Sequence, residues 1–148
     1  LRVSARVSSK LYSPAMLALA AQLAEYPLTD DLPLRAECRS RTCGSVITLG
    51  LDQDDYGLIS RVGMRVSACA VGQASASLLA QRIRGDIPGH VQLITDGISA
   101  WLAGEGDLPQ WPGLNALAPA RDHPGRHGAL LLPWTAACMA LSSGAARG

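Results

Sequence analysis

The chain has 148 residues, 13 basic and 12 acidic side chains, a formal charge of +1 and 48% hydrophobic residues. That length suits one domain, able to bury about two thirds of the surface its unfolded chain exposes without a metal or a disulfide. The balanced charge offers no basic stripe for nucleic acid, and the longest nearly unbroken apolar stretch, 15–24, is only about half a membrane span, so neither nucleic acid nor membrane is an expected partner.

Residues 1–10 are basic and serine-rich without the apolar core of a secretory signal, and are expected as a loose tail. Ser13-Pro14 predicts a helix start, a capping hydroxyl before a proline whose missing N–H does no harm, with Met16, Ala20 and Leu23 on one face and Pro27 as the stop. Leu34, Ala36 and Cys38 alternate with Arg35, Glu37 and Arg39, a first strand with Cys38 inward. Cys43-Gly44-Ser45 interrupts it as a turn, and Ile47, Leu49 and Leu51 resume the alternation. Residues 52–57 predict a hairpin connection into a third strand, where Val62, Met64, Val66 and Ala68 alternate with Arg61, Gly63, Arg65 and Ser67.

At Cys69 the period changes from two to 3.6. Val71, Ala74, Leu78, Leu79 and Ile83 fall on one helical face, Gln73, Ser77 and Gln81 on another, and Gly85 supplies a stop, so a helix is expected from about Ala70. A thiol at a helix N-terminus faces unpaired N–H groups and the positive end of the macrodipole, which favour thiolate, the form that binds metal or accepts sulfur. The alternative for Cys69 is a small buried hydrophobe.

Val91, Ile94, Ile98, Trp101 and Leu102 form a second apolar stripe after Pro88-Gly89. Residues 104–128 read as a long irregular connection pinned by Leu108, Trp111, Leu114 and Leu117. A last helix is expected over 130–141, starting near Ala129 or kinked at Pro133, with 142–148 as a loose tail. The four cysteines, Cys38, Cys43, Cys69 and Cys138, show neither a secreted disulfide scaffold nor paired CxxC spacing, which points to a reducing, cytoplasmic setting. Cys38 and Cys138 are expected in the core, Trp101, Trp111 and Trp134 in packing, and His90 and His123 in solvent. The whole is α+β: one domain over 1–148, with a three-stranded antiparallel sheet and helices on one face. A meander brings the loop after the first strand and the end of the third to one edge, and so Cys43 near Cys69.

Cys69-Ala70-Val71-Gly72-Gln73-Ala74-Ser75-Ala76-Ser77 with Gln81 and Gly85 resembles, without a gap, the second-cysteine segment of the NifU/IscU/SufU-like iron-sulfur cluster assembly proteins. Cys43-Gly44 resembles the family's first-cysteine turn, and Arg126 with Leu132-Pro133-Trp134 resembles the residues bracketing its third cysteine. The resemblance spans nearly the whole chain. It implies a SufE/NifU-like fold, an edge site of three cysteines and an aspartate for a nascent cluster or a zinc ion, and a cysteine desulfurase and acceptor apoproteins as partners.

Two of those four ligand positions differ. Ser45 stands where the family has aspartate, and Ala129 aligns with the third cysteine. His127, two residues away, is the nearby nitrogen donor, or else a surface or capping histidine. The implied function is a scaffold-like role in which Cys43 and Cys69, with His127, hold iron, a cluster fragment or sulfur. The alternatives are a SufU-like zinc-dependent sulfur transfer protein and a metal-free protein-binding module.

Overall fold

The computed structural model describes residues 11–41 and 43–147, the side chains of 145–147 excepted. The expected loose tail at 1–10 lies outside the described residues. The first helix, α1 (Pro14–Gln22), is capped by Ser13, whose hydroxyl accepts from the Met16 N–H at 3.2 Å. It tightens into a 3-10 turn at Leu23–Glu25 before Pro27.

Strands β1 (Leu34–Arg39), β2 (Val46–Gln53) and β3 (Ile59–Ser67) form an antiparallel meander in chain order. The register stacks Cys38, Ile47 and Val66 in one row and Ala36, Leu49 and Met64 in the next. These rows face the helices, while the intervening row of Glu37, Thr48 and Arg65 faces outward. On that outer face Gly50 and Gly63 pair, and a Cβ on Gly50 would stand 2.8 Å from the Leu32 Cβ. Two glycines side by side therefore make the seat on which the segment before β1 lies.

Helix α2 (Ala70–Arg82) starts where the strand alternation stops, with Cys69 as N-cap. Its polar stripe is not all at the surface: Ser75 and Ser77 are fully buried. The Ser75 hydroxyl donates to the Leu130 carbonyl at 2.6 Å and accepts from Trp134 Nε1 at 2.9 Å, and the Ser77 hydroxyl accepts from Gln81. Hydrogen bonding removes the cost of desolvating them.

Helix α3 (Pro88–Leu102) buries Val91, Ile94, Ile98 and Trp101, as its stripe predicts. The long connection is more regular than expected, forming 3-10 helix at Leu114–Asp122 and Pro124–Arg126 over the buried Trp111, Leu114 and Leu117. Trp111 donates its indole N–H to the Leu78 carbonyl at 2.9 Å and meets Trp134 edge-on, ring centres 4.9 Å apart. His90 is not simply solvated: half-buried, it stacks on Trp111 and bonds Asp86 at 2.6 Å.

The last helix, α4 (His127–Arg147), begins two residues before Ala129 and keeps Pro133 in its interior rather than in its first turn. Packing explains the tolerance, because α4 lies against β1, β2, α2 and α3 at once and tertiary burial outweighs the one intrahelical hydrogen bond a proline removes. The helix also runs past Ser142, where fraying was expected, and Gly144 comes so close to Leu34 that an added Cβ would stand 2.7 Å from it. Cys138 is half-buried between α3 and α4 rather than in the core. Among the described residues no helix is long and apolar enough to cross a membrane.

Candidate functional site

The β1–β2 turn and the β3–α2 junction open on one edge of the sheet. Val46 pairs with Ser67, so Ser45 and Ala68, the next residues outward, are neighbours and Cys43 and Cys69 follow them. A shallow cleft of about 270 Å³ is lined by Cys43, Gly44, Ser45, Ser67, Cys69 and Arg126. The structure thus brings Cys43 and Cys69 to one site.

The turn holding Cys43 is closed by the Ser40 N–H bonding the Ser45 carbonyl at 2.8 Å, and Gly44 takes φ 70°, where a side chain would be strained. Cys43 is exposed, with Sγ 3.2 Å from the Ser40 hydroxyl and 3.0 Å from that of Ser45. Those two hydroxyls, assisted by the backbone at Ser45 and by the Arg126 charge, hold the Cys43 thiol below the ordinary thiol range. Ser45 itself is 4% exposed. Cys69 is half-exposed at the N-cap of α2.

The other cysteines differ in kind. Burial pushes the Cys38 and Cys138 thiols up, Cys138 being partly relieved by its bond to the Thr95 hydroxyl. Cys38 lies 3.2 Å from Met139 Sδ.

His127 does not join the two cysteines in the cleft lining. It opens α4, and its Nε2 lies 2.7 Å from the Arg121 carbonyl. A carbonyl only accepts, so Nε2 carries the proton and the lone pair of the neutral ring is on Nδ1. Ala129, aligned with the family's third cysteine, is buried beside Gly72: a Cβ on Gly72 would stand 3.3 Å from the Ala129 Cβ and 2.8 Å from that of Ala68. Among the described residues no group of three or more His, Cys, Asp or Glu side chains is placed to hold a metal ion. Two thiols without a third donor leave a tetrahedral zinc site open, so this donor set does not fit a resident structural zinc.

Sequence reasoning named Arg126 only as a bracketing residue and set Ser45 aside as a lost ligand. Ser40 escaped it altogether, although its position three residues before Cys43 at the exit of β1 is the signal that could have found it.

No protein-family model matches the chain. The iron-sulfur cluster assembly scaffold protein IscU of Thermotoga maritima is 26% identical over 129 residues, which cover 86% of this chain and 90% of that protein. An N-terminal NifU-like protein from Brucella abortus superposes with a TM-score of 0.89 at 24% identity, over 96% of this chain and 99% of its own. A protein described as an iron-sulfur cluster assembly scaffold for the SUF system, from Fervidobacterium islandicum, superposes with a TM-score of 0.80 at 21% identity, over 90% and 98%. The fold is therefore the NifU-like α+β fold. Over most of its length the chain is thus similar to an iron-sulfur cluster assembly scaffold protein in sequence and to NifU-like and SufU-like structures in fold.

Proposed function

We propose that this protein is a scaffold-like component of iron-sulfur cluster assembly that holds its cargo transiently through Cys43 and Cys69. The observation that carries this is their position on one solvent-open cleft, at the two strand ends where the resemblance puts the family's first and second cysteines. Soft thiolates suit iron, a cluster fragment and zinc alike. With Ser45 and Ala129 at the other two positions, coordination is completed from outside the cleft and the cargo exchanges readily. His127 stands outside the cleft lining, and any ligation by it runs through Nδ1.

The hydroxyls and the arginine around Cys43 favour a second use of the same cleft, as a sulfur acceptor. A Cys43 thiolate attacks the terminal sulfur of a donor persulfide. The donor S–S bond breaks, the donor leaves as thiolate, and Cys43 carries the new S–S bond with the proton of the transferred sulfur, with no net oxidation. The donor is a cysteine desulfurase, and an acceptor apoprotein takes the product. Incubation with a desulfurase and labelled cysteine tests this: label should be retained on the natural protein, be released by a thiol reductant, and be lost in Cys43→Ser. Equal labelling of Cys43→Ser would overturn the assignment.

A further inference from the structure

Cys38 is a thiol that the strand-edge cleft leaves unused, and its partner is another sulfur. It sits on the inner row of the sheet, 8% exposed, and its Sγ–H donates to Met139 Sδ at 3.2 Å. Met139 reaches it from α4 and is 49% exposed, whereas Ala136, Ala137 and Ala140 on the same helix are fully buried. Both sulfur residues line one groove of about 550 Å³ between the end of β1 and α4, with Leu131 and Leu132 as apolar walls and Arg39 and Arg41 at its rim. The groove shares no lining residue with the Cys43–Cys69 cleft.

We infer that Cys38 and Met139 form a binding site for a soft monovalent metal ion, Cu(I), with the Cys38 thiolate and the Met139 thioether as its ligands. The inference is independent of the cargo proposed for the other two cysteines. A thiolate with a thioether is the donor pair that selects Cu(I) over harder ions. Among the described residues no group of three or more His, Cys, Asp or Glu side chains is placed to hold a metal, so an ion content with few ligands fits here and four-coordinate zinc does not. Charge agrees: a Cu(I)–thiolate unit is neutral beside Arg39 and Arg41, where a divalent ion on one thiolate would add a positive charge. Two metal–sulfur bonds on the zinc–thiolate scale of about 2.3 Å span at most about 4.6 Å. The pair therefore has to open only slightly from 3.2 Å, which the flexible, half-exposed Met139 side chain allows. The ion takes the place of the proton shared by the two sulfurs. The Cys38 S–H bond breaks, its electron pair binds the metal, the proton leaves to solvent, and nothing is oxidised or reduced.

The test is anaerobic titration of the full chain carrying Cys43→Ser/Cys69→Ser, so that the cleft thiols do not compete, with Cu(I) held by a chromogenic Cu(I) chelator. One copper per chain should be withdrawn from the chelator. Met139→Leu, close in size and at a half-exposed position, should weaken binding by about tenfold or more. Cys38→Ala should abolish it, and Cys138→Ala should leave it unchanged. A second readout needs no variant of the pair: with methyl-labelled methionine and air-stable Ag(I) as the probe, the Met139 methyl resonance should move on binding. The methyls of Met16 and Met64, buried elsewhere in the core, should stay in place.

No copper taken from the chelator, full affinity in Met139→Leu, or an unmoved Met139 methyl overturns the inference and leaves the Cys38–Met139 contact as packing. So does loss of binding in Cys138→Ala, which would assign the ion to the other half-buried thiol. Should Cys38→Ala fail to fold, the Met139→Leu affinity and the methyl resonance still decide. Because the cleft thiols are absent from the titrated protein, none of these results bears on the roles proposed for Cys43 and Cys69.

Discussion

Gly72 and Ala129 meet with no room for another carbon between them: a Cβ on Gly72 would stand 3.3 Å from both the Ala129 Cβ and its carbonyl oxygen. This contact sets how closely α4 approaches α2, and hence where the first turn of α4 and Arg126 before it lie relative to Cys69. Gly72→Ala should destabilise the fold by about 1–3 kcal/mol, the usual cost of overpacking a tight core. Urea unfolding should show a lower midpoint with the same m-value.

Ser75 links the same two helices through a different chemistry. Its hydroxyl satisfies both the Leu130 carbonyl and the Trp134 indole N–H in a fully buried site. Ser75→Ala leaves the buried Trp134 indole N–H without its acceptor and removes a hydrogen bond to the Leu130 carbonyl, and about 1–3 kcal/mol should be lost. Ser75→Thr, which keeps the hydroxyl but adds a methyl, should recover only part of that, as measured by thermal melting.

The thiols should separate by reactivity. Cys43 is lowered by its two hydroxyl neighbours and Arg126, whereas burial raises Cys38 and Cys138. As pH rises, Cys43 should form thiolate first, so its alkylation rate levels off at a lower pH than that of an ordinary thiol near pKa ~8.5. Cys38 and Cys138 should still be accelerating above that pH. Peptide-resolved labelling across pH 6 to 10, roughly spanning these ranges, reads this out, and Ser45→Ala should move the Cys43 profile upward.

How much of this was legible in the sequence depended on whether a local rule or a long-range contact decided each feature. The alternation through Ala36 and Cys38, then Ile47 to Leu51, then Val62 to Val66 specified the meander, and a meander places Cys43 beside Cys69 by topology alone. The change of period at Cys69 located the start of α2 because strand and helix patterns cannot overlap there. Pro133 misled: as a local signal it argued for a first turn, and only burial on four elements let it stand inside α4. Ser77 looked polar and outward because a hydroxyl in a sequence says nothing of a buried partner. The Ser40–Cys43–Ser45 cluster depends on a turn closed by one backbone bond, and the position of Ser40 three residues before Cys43 was the one local hint of it. Arg126 enters the cleft through a 3-10 segment that was expected to be irregular.

Restoring the two divergent positions should convert an open site into a closed one. Ser45→Asp with Ala129→Cys should raise zinc affinity by about tenfold or more, since ligand number governs closure of a tetrahedral site. Both positions are buried, at 4% and 1% exposure, so the metal-free variant should lose about 1–3 kcal/mol and regain it on adding zinc. Competition against a chromogenic chelator measures the affinity. An unchanged value would mean that Ala129 does not face the two cysteines.

The central claim is that Cys43 and Cys69 act on one cargo, and cadmium titration followed by thiolate-to-metal charge-transfer absorption tests it most directly. One cadmium ion per chain should bind with the absorption of two thiolates, and Cys43→Ser and Cys69→Ser should each halve that band and weaken binding by about tenfold or more. Cys38→Ala should change neither. If either Cys43 or Cys69 can be replaced with the band and affinity intact, the two thiols do not share a ligand and the account of the cleft is wrong.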